Sequence, residues 1–306
     1  MLNRNILKQA ELKIKENRKK AEELADSFMQ KALLDEEFKQ TYLQKKQAQF
    51  ENARCEVYGE NPKYDIKKFE KQEEKILKKL NIKKENLVPN YSCKSCNDTG
   101  YVDNNICSCL KKEINGILFE QSGFKHQLKK FDECNFEIFD NKQKMQTLYT
   151  SMQKWCQKDN DYKIVLLTGK TGVGKTYLTE CMASKLIENG HIVLFTSAFN
   201  LNQNLLKFHT TFDSTKINYL NLLLEPEYLF IDDLGTEPIL KNVTVEGIYN
   251  IISDRLEHNK KTIITTNLGL KEIENVYGER VFSRLVNKRT SICFNIENSD
   301  IRLKNN

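Results

Sequence analysis

The most constraining feature of this chain is a phosphate-binding loop that reads GKTGVGKT at residues 169–176. An apolar run at residues 164–168 precedes the loop, and a helix-compatible segment at residues 177–188 follows it. A glycine-rich turn between a buried strand and a helix points successive backbone N–H groups at one spot, where a phosphate binds. Lys175 adds a point charge for the β- and γ-phosphates, and the hydroxyl of Thr176 can ligate Mg²⁺. The predicted phosphate contacts are Gly169, Lys170, Thr171, Gly172, Val173, Gly174, Lys175 and Thr176.

Polar side chains follow two further apolar segments. Residues 228–237 read YLFIDDLGTE, which predicts a buried strand that delivers Asp232 and Asp233 at its carboxyl end. Asp232 is expected to hold Mg²⁺, and Asp233 to orient or deprotonate the attacking water. Residues 262–267 read TIITTN, so Asn267 stands at a similar strand tip, where it can hydrogen-bond that water or the γ-phosphate. Together with the loop, these segments predict a Mg²⁺-dependent nucleoside triphosphate site.

The C-terminal half of the chain is predicted to be an α/β domain. From about Tyr162 onward, short apolar segments alternate with helix-compatible ones, a pattern typical of a parallel sheet. Residues 113–160 are expected to form a linker and lead-in whose apolar residues pack against this domain. The strand candidates are residues 163–168, 192–196, 228–232, 262–266 and 291–296.

The N-terminal part of the chain is predicted to be helical. Residues 5–58 contain neither Pro nor Gly and are rich in residues that favour helix. The sequence GENP at residues 59–62 breaks this run, and a second amphipathic pattern extends from Ile66 to about Asn81. We interpret residues 1–88 as a small helical domain whose charged faces are either solvated surface or a docking surface for a partner protein.

Four of the nine cysteines are clustered in the segment YSCKSCNDTGYVDNNICSCLKK at residues 91–112. They form a C-x2-C pair and a C-x-C pair, with turn signals between the pairs. Four thiolates can surround one tetrahedral Zn²⁺ and leave no open position for water, so the site is predicted to be structural. Reduced thiols without metal and an iron–sulfur cluster are the alternatives. The predicted ligands are Cys93, Cys96, Cys107 and Cys109.

Three arginines near the C-terminus are candidate phosphate ligands. Arg280 and Arg284 lie four residues apart in the segment GERVFSRL at residues 278–285, so they share one helical face. An arginine presented to the γ-phosphate of a neighbouring subunit would stabilise transition-state charge, which requires an oligomer. Plain solvated surface is the alternative. Arg302 follows the last strand candidate.

Composition and charge limit the class of protein. Charged residues make up 29% of the chain and hydrophobic residues 39%, and no apolar run approaches the ~18 residues of a membrane helix. The N-terminus lacks an apolar stretch of signal-peptide length, so we expect a cytoplasmic protein without membrane contacts. The net charge of +6 permits contact with nucleic acid but does not require it.

These motifs together resemble the DnaC/DnaI family of replicative helicase loaders, a branch of the AAA+ ATPases. The resemblance covers about residues 91–302 and rests on the cysteine cluster with NDTG, the phosphate loop, LFIDDLGTE, TTN, GERVFSRL and the terminal Asp-x-Arg. It implies an AAA+ P-loop core with a central parallel sheet and no lid domain at residues 161–306. It also implies a helicase-binding domain at residues 1–88, ahead of the zinc-binding module at residues 89–112.

The same resemblance implies roles for single residues. The phosphate loop would be Walker A and the two aspartates Walker B, and Asp233 stands where a glutamate is commoner, which fits weak or partner-stimulated hydrolysis. In such loaders, the segment after the second core strand contacts single-stranded DNA; Lys207, Phe208 and Phe212 supply a charge and aromatic faces there. An ordinary core helix is the alternative for that segment. The implied catalytic residues are Lys175, Asp232, Asp233, Asn267 as sensor 1 and Arg284 as arginine finger, with Arg302 as sensor 2 at the nucleotide.

The predicted function is that of an ATPase that binds the replicative hexameric DNA helicase and helps place it on single-stranded DNA. It would use ATP, Mg²⁺ and Zn²⁺, and it would associate with itself through the ATPase domain. A transposition-type AAA+ ATPase acting on a recombinase and a nucleotide-gated adaptor with little turnover are the alternatives. A small-molecule kinase is disfavoured, since the sequence offers neither a lid nor an acceptor pocket.

Overall fold

The computed structural model of the protein describes residues 4–124, 127–157 and 161–303. Residues 125–126 and 158–160 of the predicted linker, and the extreme residues 1–3 and 304–306 of the two outer predicted domains, lie outside the described residues. The chain divides into two compact units, one formed by Glu11–Cys107 and the other by Met1–Ala10 with Ser108–Asn306.

The smaller unit is built mainly from helices. Their bounds are α1 (Arg4–Leu33, which begins in the other unit), α2 (Glu36–Val57) and α3 (Ile66–Lys79), followed by a two-stranded hairpin of β1 (Tyr101–Val102) and β2 (Asn105–Ile106). Helices α2 and α3 pack on a core of Ala32, Phe38, Ile76 and Leu77. A buried ion pair between Lys45 and Glu73 joins the two helices, so the unit combines an apolar core with one internal charge pair.

The first helical run is two helices rather than one. The prediction from residues 5–58 gave no break before Gly59, but the chain turns at Leu34 and Asp35. The Asp35 carboxylate accepts a hydrogen bond from the Phe38 N–H at 2.8 Å and caps the start of α2. An aspartate followed by two glutamates is a helix-start signal, so the break could have been predicted from residues 35–37.

The larger unit has the predicted α/β architecture. Five parallel strands lie in the order β4-β5-β6-β3-β7, and the predicted strands are confirmed to within two residues. The elements are α4 (Ser108–Ser122), α5 (Lys142–Gln157), β3 (Ile164–Thr168), α6 (Lys175–Glu188), β4 (Val193–Ser197), α7 (Ala198–Thr210), α8 (Lys216–Leu224), β5 (Tyr228–Leu234), α9 (Thr244–Glu257), β6 (Lys261–Thr266), α10 (Leu270–Leu285) and β7 (Ser291–Asn295).

Strand order places the predicted site residues together. Strand β3, which ends at the phosphate loop, pairs with β6 on one side, and β6 in turn pairs with β5. All three strands are parallel and buried, so the side chains that follow them meet at one edge of the sheet. This edge therefore receives Lys175, Asp232 and Asn267.

The segment predicted as a linker and lead-in contributes to the larger unit. Most of α4 and all of α5 fall within residues 113–160, and Phe139 lies in the main apolar core. Asn115 of α4 donates to the His191 carbonyl at 2.8 Å and accepts from the Val193 N–H at 2.9 Å. These bonds occupy the outer edge of β4, which otherwise presents unpaired backbone groups.

Within the described parts of the chain, no helix combines the length and apolar character needed to cross a membrane.

Candidate nucleotide and metal sites

The phosphate loop adopts the backbone conformation that its glycines predict. Gly172 has φ +78° and Gly174 has φ +97°, a region that favours glycine. Gly174 is the N-cap of α6, so the backbone N–H groups at the start of this helix are directed toward the loop. A Cβ on Gly172 would lie 2.0 Å from an oxygen of Asp300, so this glycine also permits the C-terminal segment to pack on the loop.

The Lys175 ammonium is buried at the centre of the site. It donates to the carbonyls of Gly169 at 2.7 Å and Lys170 at 2.9 Å, and to Oδ1 of Asn267 at 2.7 Å. Burial lowers the pKa of Lys175, and the carboxylates of Asp233 and Asp232 oppose that shift. The predicted Walker A lysine and the predicted sensor asparagine are thus in direct contact.

Two oxygen ligands suited to Mg²⁺ lie side by side. The Thr176 hydroxyl is 3.1 Å from both carboxylate oxygens of Asp232, and the Thr265 hydroxyl donates to Asp232 Oδ1 at 2.7 Å. Burial raises the pKa of Asp232, while the hydrogen bond from Thr265 opposes that shift. A hard divalent cation prefers such oxygen donors, so Thr176 and Asp232 fit the predicted magnesium site.

A bulge in β5 separates the two aspartates. The pairing of β5 with β6 shifts between Ile231 and Leu234, and Asp233 has φ +55°. The Thr265 hydroxyl, which donates to Asp232, also accepts from the Asp233 N–H at 2.8 Å. One threonine on the neighbouring strand therefore fixes both aspartates, and the bulge re-aims the second of them.

The C-terminal segment completes the cavity around the loop. The Ile301 N–H donates to the Gly172 carbonyl at 2.9 Å, and Arg302 forms a bidentate ion pair with Asp300 at 3.0 Å. The resulting cavity of about 610 Å³ lies in the size range of small-ligand sites. Its lining includes Lys175, Thr176, Asp232, Asp233, Asn267 and Arg302, together with Lys129, Ile138, Tyr177 and Ile301. The last four were not predicted from sequence.

Arg284 does not line this cavity, so the structure does not place it at the nucleotide site of its own chain. Its guanidinium lies 4.2 Å from the ring centroid of Tyr249 on α9 and donates to the Tyr249 hydroxyl at 2.7 Å. The Arg280 guanidinium lies 4.1 Å from the same centroid. Both guanidinium groups therefore stack on the same tyrosine ring.

The four predicted zinc ligands come together. The sulfur atoms of Cys93, Cys96, Cys107 and Cys109 all lie within 4.8 Å of one another, and those of Cys93 and Cys107 are 3.7 Å apart. Four thiolates at about 2.3 Å from one tetrahedral Zn²⁺ would be separated by about 3.8 Å, so the cluster fits this ion.

Asp98, in the NDTG turn, organises the first cysteine pair. Its buried carboxylate accepts from the N–H groups of Ser92 at 2.8 Å and Cys93 at 2.7 Å. Asn97 and Asp98 both have positive φ, which Asn and Asp tolerate better than most residues. The sequence motif NDTG therefore holds the backbone that carries the ligands.

The predicted DNA contacts lie around the turn between α7 and α8. Phe212 is 95% exposed, while Phe208 is partly buried. The Lys216 ammonium lies 4.8 Å from the Phe208 ring centroid, and the Lys207 ammonium lies 5.7 Å from that of Tyr219. The surface thus combines cations with aromatic rings, and it includes Lys216 and Tyr219, which were not among the predicted DNA contacts.

The sequence does not predict several other side-chain contacts near the site. The polar residues of TIITTN gave a signal for Thr265, but no periodicity distinguishes Tyr249 or Tyr277 from ordinary helix residues. The buried Glu237 accepts from the Gly235 N–H at 2.9 Å and from the hydroxyl of the buried Tyr277 on α10. Burial and the Glu237 carboxylate raise the pKa of Tyr277, so its proton is retained.

Comparison with known proteins identifies the family. The model of the family described as IstB-like ATP binding protein matches residues 117–306, more than half of the chain. The chain belongs to this family. Its phosphate loop, Asp232 and Asn267 all fall within the matched residues, and ATP binding is the property by which the IstB-like family is described.

Relatives of this IstB-like protein include helicase loaders. The replicative helicase loader DnaC of Escherichia coli (strain K12) is 27% identical over 172 residues, which are 55% of this chain and 67% of DnaC. An insertion sequence IS21 ATP-binding protein of Pseudomonas aeruginosa is 27% identical over 143 residues, 46% of this chain and 52% of that protein. A crystal structure of the DnaC helicase loader covers 55% of this chain and 96% of its own, with 25% identity and a TM-score of 0.47. The predicted resemblance to DnaC-type AAA+ loaders is confirmed.

Proposed function

We propose that this protein is an ATP-dependent loader that binds the replicative DNA helicase and helps deposit it on single-stranded DNA during replication initiation. The similarity to DnaC along the ATPase part of the chain carries the proposal. The meeting of Lys175, Asp232 and Asn267 at one sheet edge supports a working nucleotide site. Replication would take place in the cytoplasm.

At the nucleotide, each side chain has one proposed role. Lys175 binds the β- and γ-phosphates, while Thr176 and Asp232 hold Mg²⁺. Asp233 orients the attacking water, and Asn267 senses the γ-phosphate. When a phosphate binds, the Lys175 ammonium gives up its hydrogen bond to Asn267 and donates to the nucleotide instead. Asn267, at the end of β6, therefore responds to whether the loop holds a nucleotide. Arg302, beside the cavity, contacts the triphosphate from the C-terminal segment.

Hydrolysis is proposed to need a second copy of the chain. Arg284 lies on α10 outside the cavity of its own chain, as expected of a residue that serves a neighbour. A guanidinium delivered in this way stabilises charge on the transferred phosphoryl group. Turnover by a single copy is therefore weak, and self-association through the ATPase domain or a partner raises it.

Single-stranded DNA is proposed to bind at the turn between α7 and α8. Phe212 exposes almost its whole side chain, an arrangement suited to stacking on a base. Lys207 and Lys216 add positive charge for the backbone, and Phe208 adds a second ring. The exposure of Phe212 favours this role over that of an ordinary core helix.

The helical region within residues 1–88 is proposed to dock the helicase. Several large apolar side chains are exposed on α1, on α2 and at the turn between them, which favours a protein partner for this surface. Zn²⁺ held by the four cysteines would fix the fold of the segment that follows. The exposed residues include Leu24, Leu34, Leu43 and Phe50.

Two alternatives make different demands. The similarity to an IS21 ATP-binding protein favours a transposition-type ATPase acting on a recombinase as the second candidate. That candidate requires duplex DNA and a recombinase, whereas a loader requires single strands and a helicase. A nucleotide-gated adaptor with little turnover would lose function in Lys175→Ala but keep it in Asp233→Asn.

Co-purification and DNA binding test the proposal with the full chain. Tagged protein should retain the replicative hexameric helicase of the same organism and should bind single-stranded oligonucleotides more tightly than duplex when Mg-ATP is present. Lys175→Ala should abolish the nucleotide dependence of DNA binding but keep helicase retention. Preference for duplex DNA, or the absence of helicase from the retained fraction, would contradict the loader assignment.

A further inference from the structure

Two guanidinium groups share one aromatic ring on the surface formed by α9 and α10. The Cζ atoms of Arg280 and Arg284 lie 4.1 and 4.2 Å from the ring centroid of Tyr249. Arg284 Nη2 donates to the Tyr249 hydroxyl at 2.7 Å, and Arg284 Nη1 donates to the Arg280 carbonyl at 3.0 Å. Among the residues that the structure describes, no other ring is approached by two arginines.

The ring makes this arrangement of like charges possible. Two cations four residues apart on a helix repel each other, so arginines without a common partner would separate in solvent. The negative face of the Tyr249 ring attracts both guanidinium groups. A hydrogen bond from Arg280 to the hydroxyl also lowers the pKa of Tyr249. Tyr249 therefore holds two positive charges close together.

The backbone of α10 has a kink at Gly278, just before the two arginines. Gly278 has φ +80° and interrupts the helix between the buried Tyr277 and the arginines. The first half of α10 is tied through Tyr277 and Glu237 to the loop that follows the two aspartates. The buried side chains of Val281 and Leu285 anchor the backbone of the half after Gly278, while the side chains of Arg280 and Arg284 contact Tyr249.

We propose that Tyr249 is a positioning residue that presents Arg280 and Arg284 together to the triphosphate of a neighbouring copy of the chain. The proposal rests on the proposed function of Arg284 as a finger acting in trans. Stacking leaves the edge N–H donors of a planar guanidinium able to bind an anion, and the contacts above engage only two of the five donors of Arg284. Guanidinium N–H donors that are already held in position lose less conformational entropy when they bind the phosphate. They therefore stabilise the charge that develops in the transition state more effectively.

Tyrosine variants of the full chain separate the ring from the hydroxyl. Tyr249→Phe keeps the stacking surface and should lower kcat for ATP hydrolysis about threefold, whereas Tyr249→Leu removes both contacts and should lower kcat at least about tenfold. KM and the Kd of a fluorescent ATP analogue should stay unchanged, because Tyr249 does not line the cavity of its own chain. Tyr162→Leu, at an exposed tyrosine of the same unit, is the matched control and should behave like wild type.

Mixing experiments test whether the effect acts between copies. A Tyr249→Leu chain has a complete nucleotide site and a displaced finger, whereas a Lys175→Ala chain has a defective site and an intact finger. Their mixture should hydrolyse more ATP than the sum of the two separate samples, and a mixture of Arg284→Ala with Lys175→Ala should do the same. ATP-dependent self-association, measured by sedimentation velocity, gives a readout that needs no turnover and should weaken in Tyr249→Leu.

The outcomes distinguish this proposal from the one on which it rests. If Arg284→Ala loses activity and recovers on mixing while Tyr249→Leu keeps wild-type kcat and self-association, the role of Tyr249 is overturned and the trans finger stands. A loss in Tyr249→Leu that mixing does not restore also overturns it, because the damage is then within one chain. If Arg284→Ala matches wild type in hydrolysis and in self-association, both proposals fail. Should Tyr249→Leu lose nucleotide binding through misfolding, Tyr249→Phe decides by its kcat.

Discussion

Replacement of Arg255 tests how much a buried, hydrogen-bonded guanidinium stabilises the larger unit. It is fully buried, and its guanidinium donates to five backbone carbonyls and to the Thr262 hydroxyl at 2.7–3.3 Å. These acceptors lie at the end of α8, in the connection from α8 to β5 and at the start of β6. Because Asp232 lies near the carboxyl end of β5 and Asn267 follows β6, Arg255 fixes the opposite ends of the two strands that position these site residues.

The size of the effect of Arg255→Met follows from these contacts. Three of the six acceptors keep a second donor. The Leu224 carbonyl accepts from Lys260, the Glu227 carbonyl accepts from the Lys261 N–H, and the Lys261 carbonyl lies in the β5–β6 ladder. Loss of the donor at the other three, at about 1.3 kcal/mol each, lowers the free energy of unfolding by about 4 kcal/mol. Burial lowers the pKa of Arg255 to about 9, so the uncharged methionine also relieves a cost. We expect a net loss of about 3 kcal/mol.

Chemical and thermal unfolding measure this loss. Urea titration followed by circular dichroism should give the lower free energy of unfolding, and Tm should fall by about 6–12 °C for a unit of this size. Arg289→Met, at an exposed arginine, is the control and should change stability by less than about 0.5 kcal/mol. A loss of under about 1 kcal/mol in Arg255→Met would refute the argument that these hydrogen bonds outweigh the buried charge.

Three further predictions concern the sites. Burial raises the pKa of Asp232, so its carboxylate takes up a proton at a higher pH than an exposed aspartate. Mg-ATP affinity, measured by calorimetry, should therefore fall from pH 7 toward about pH 5. The Asp232→Asn variant should bind Mg-ATP weakly over this whole range. Purified protein should contain one Zn²⁺ per chain by elemental analysis, and Asp98→Ala should lose it to a chelator faster, because the Asp98 carboxylate holds the Cys93 N–H; iron with visible absorbance would contradict the zinc assignment. Phe212→Ala should weaken single-stranded DNA binding at least about fivefold in fluorescence anisotropy without changing Tm, since the side chain is 95% exposed; unchanged affinity would remove Phe212 from the proposed DNA surface.

The nucleotide site was largely predictable because most of its functional residues lie in short, recognisable sequence motifs. Glycine, lysine and threonine in the loop at residues 169–176 and the apolar runs before Asp232 and Asn267 each carry a local signal. Parallel strands then bring their carboxyl ends to one edge, so the meeting of these side chains follows from the strand assignments. The cysteine spacing carried the same kind of local information for the predicted zinc ligands.

The break between α1 and α2 shows a limit of composition as a guide. Residues on both sides of Leu34 favour helix, yet the chain turns there and α2 begins anew with an N-cap at Asp35. The side chains of Lys129, Ile138 and Tyr177 illustrate a different limit. They reach the cavity from segments whose sequences contain no phosphate-binding signal.

The sequence by itself determined the phosphate loop, the acidic strand tip, the four-cysteine cluster and the alternation of strand and helix. The tertiary structure decided which distant side chains support these motifs. Arg255 binds the segments where β5 and β6 begin, Thr265 contacts both aspartates, and Tyr249 contacts the two arginines. The physical reason is that a motif depends on backbone geometry over a few consecutive residues, whereas a supporting contact depends on the packing of elements that are far apart in the chain.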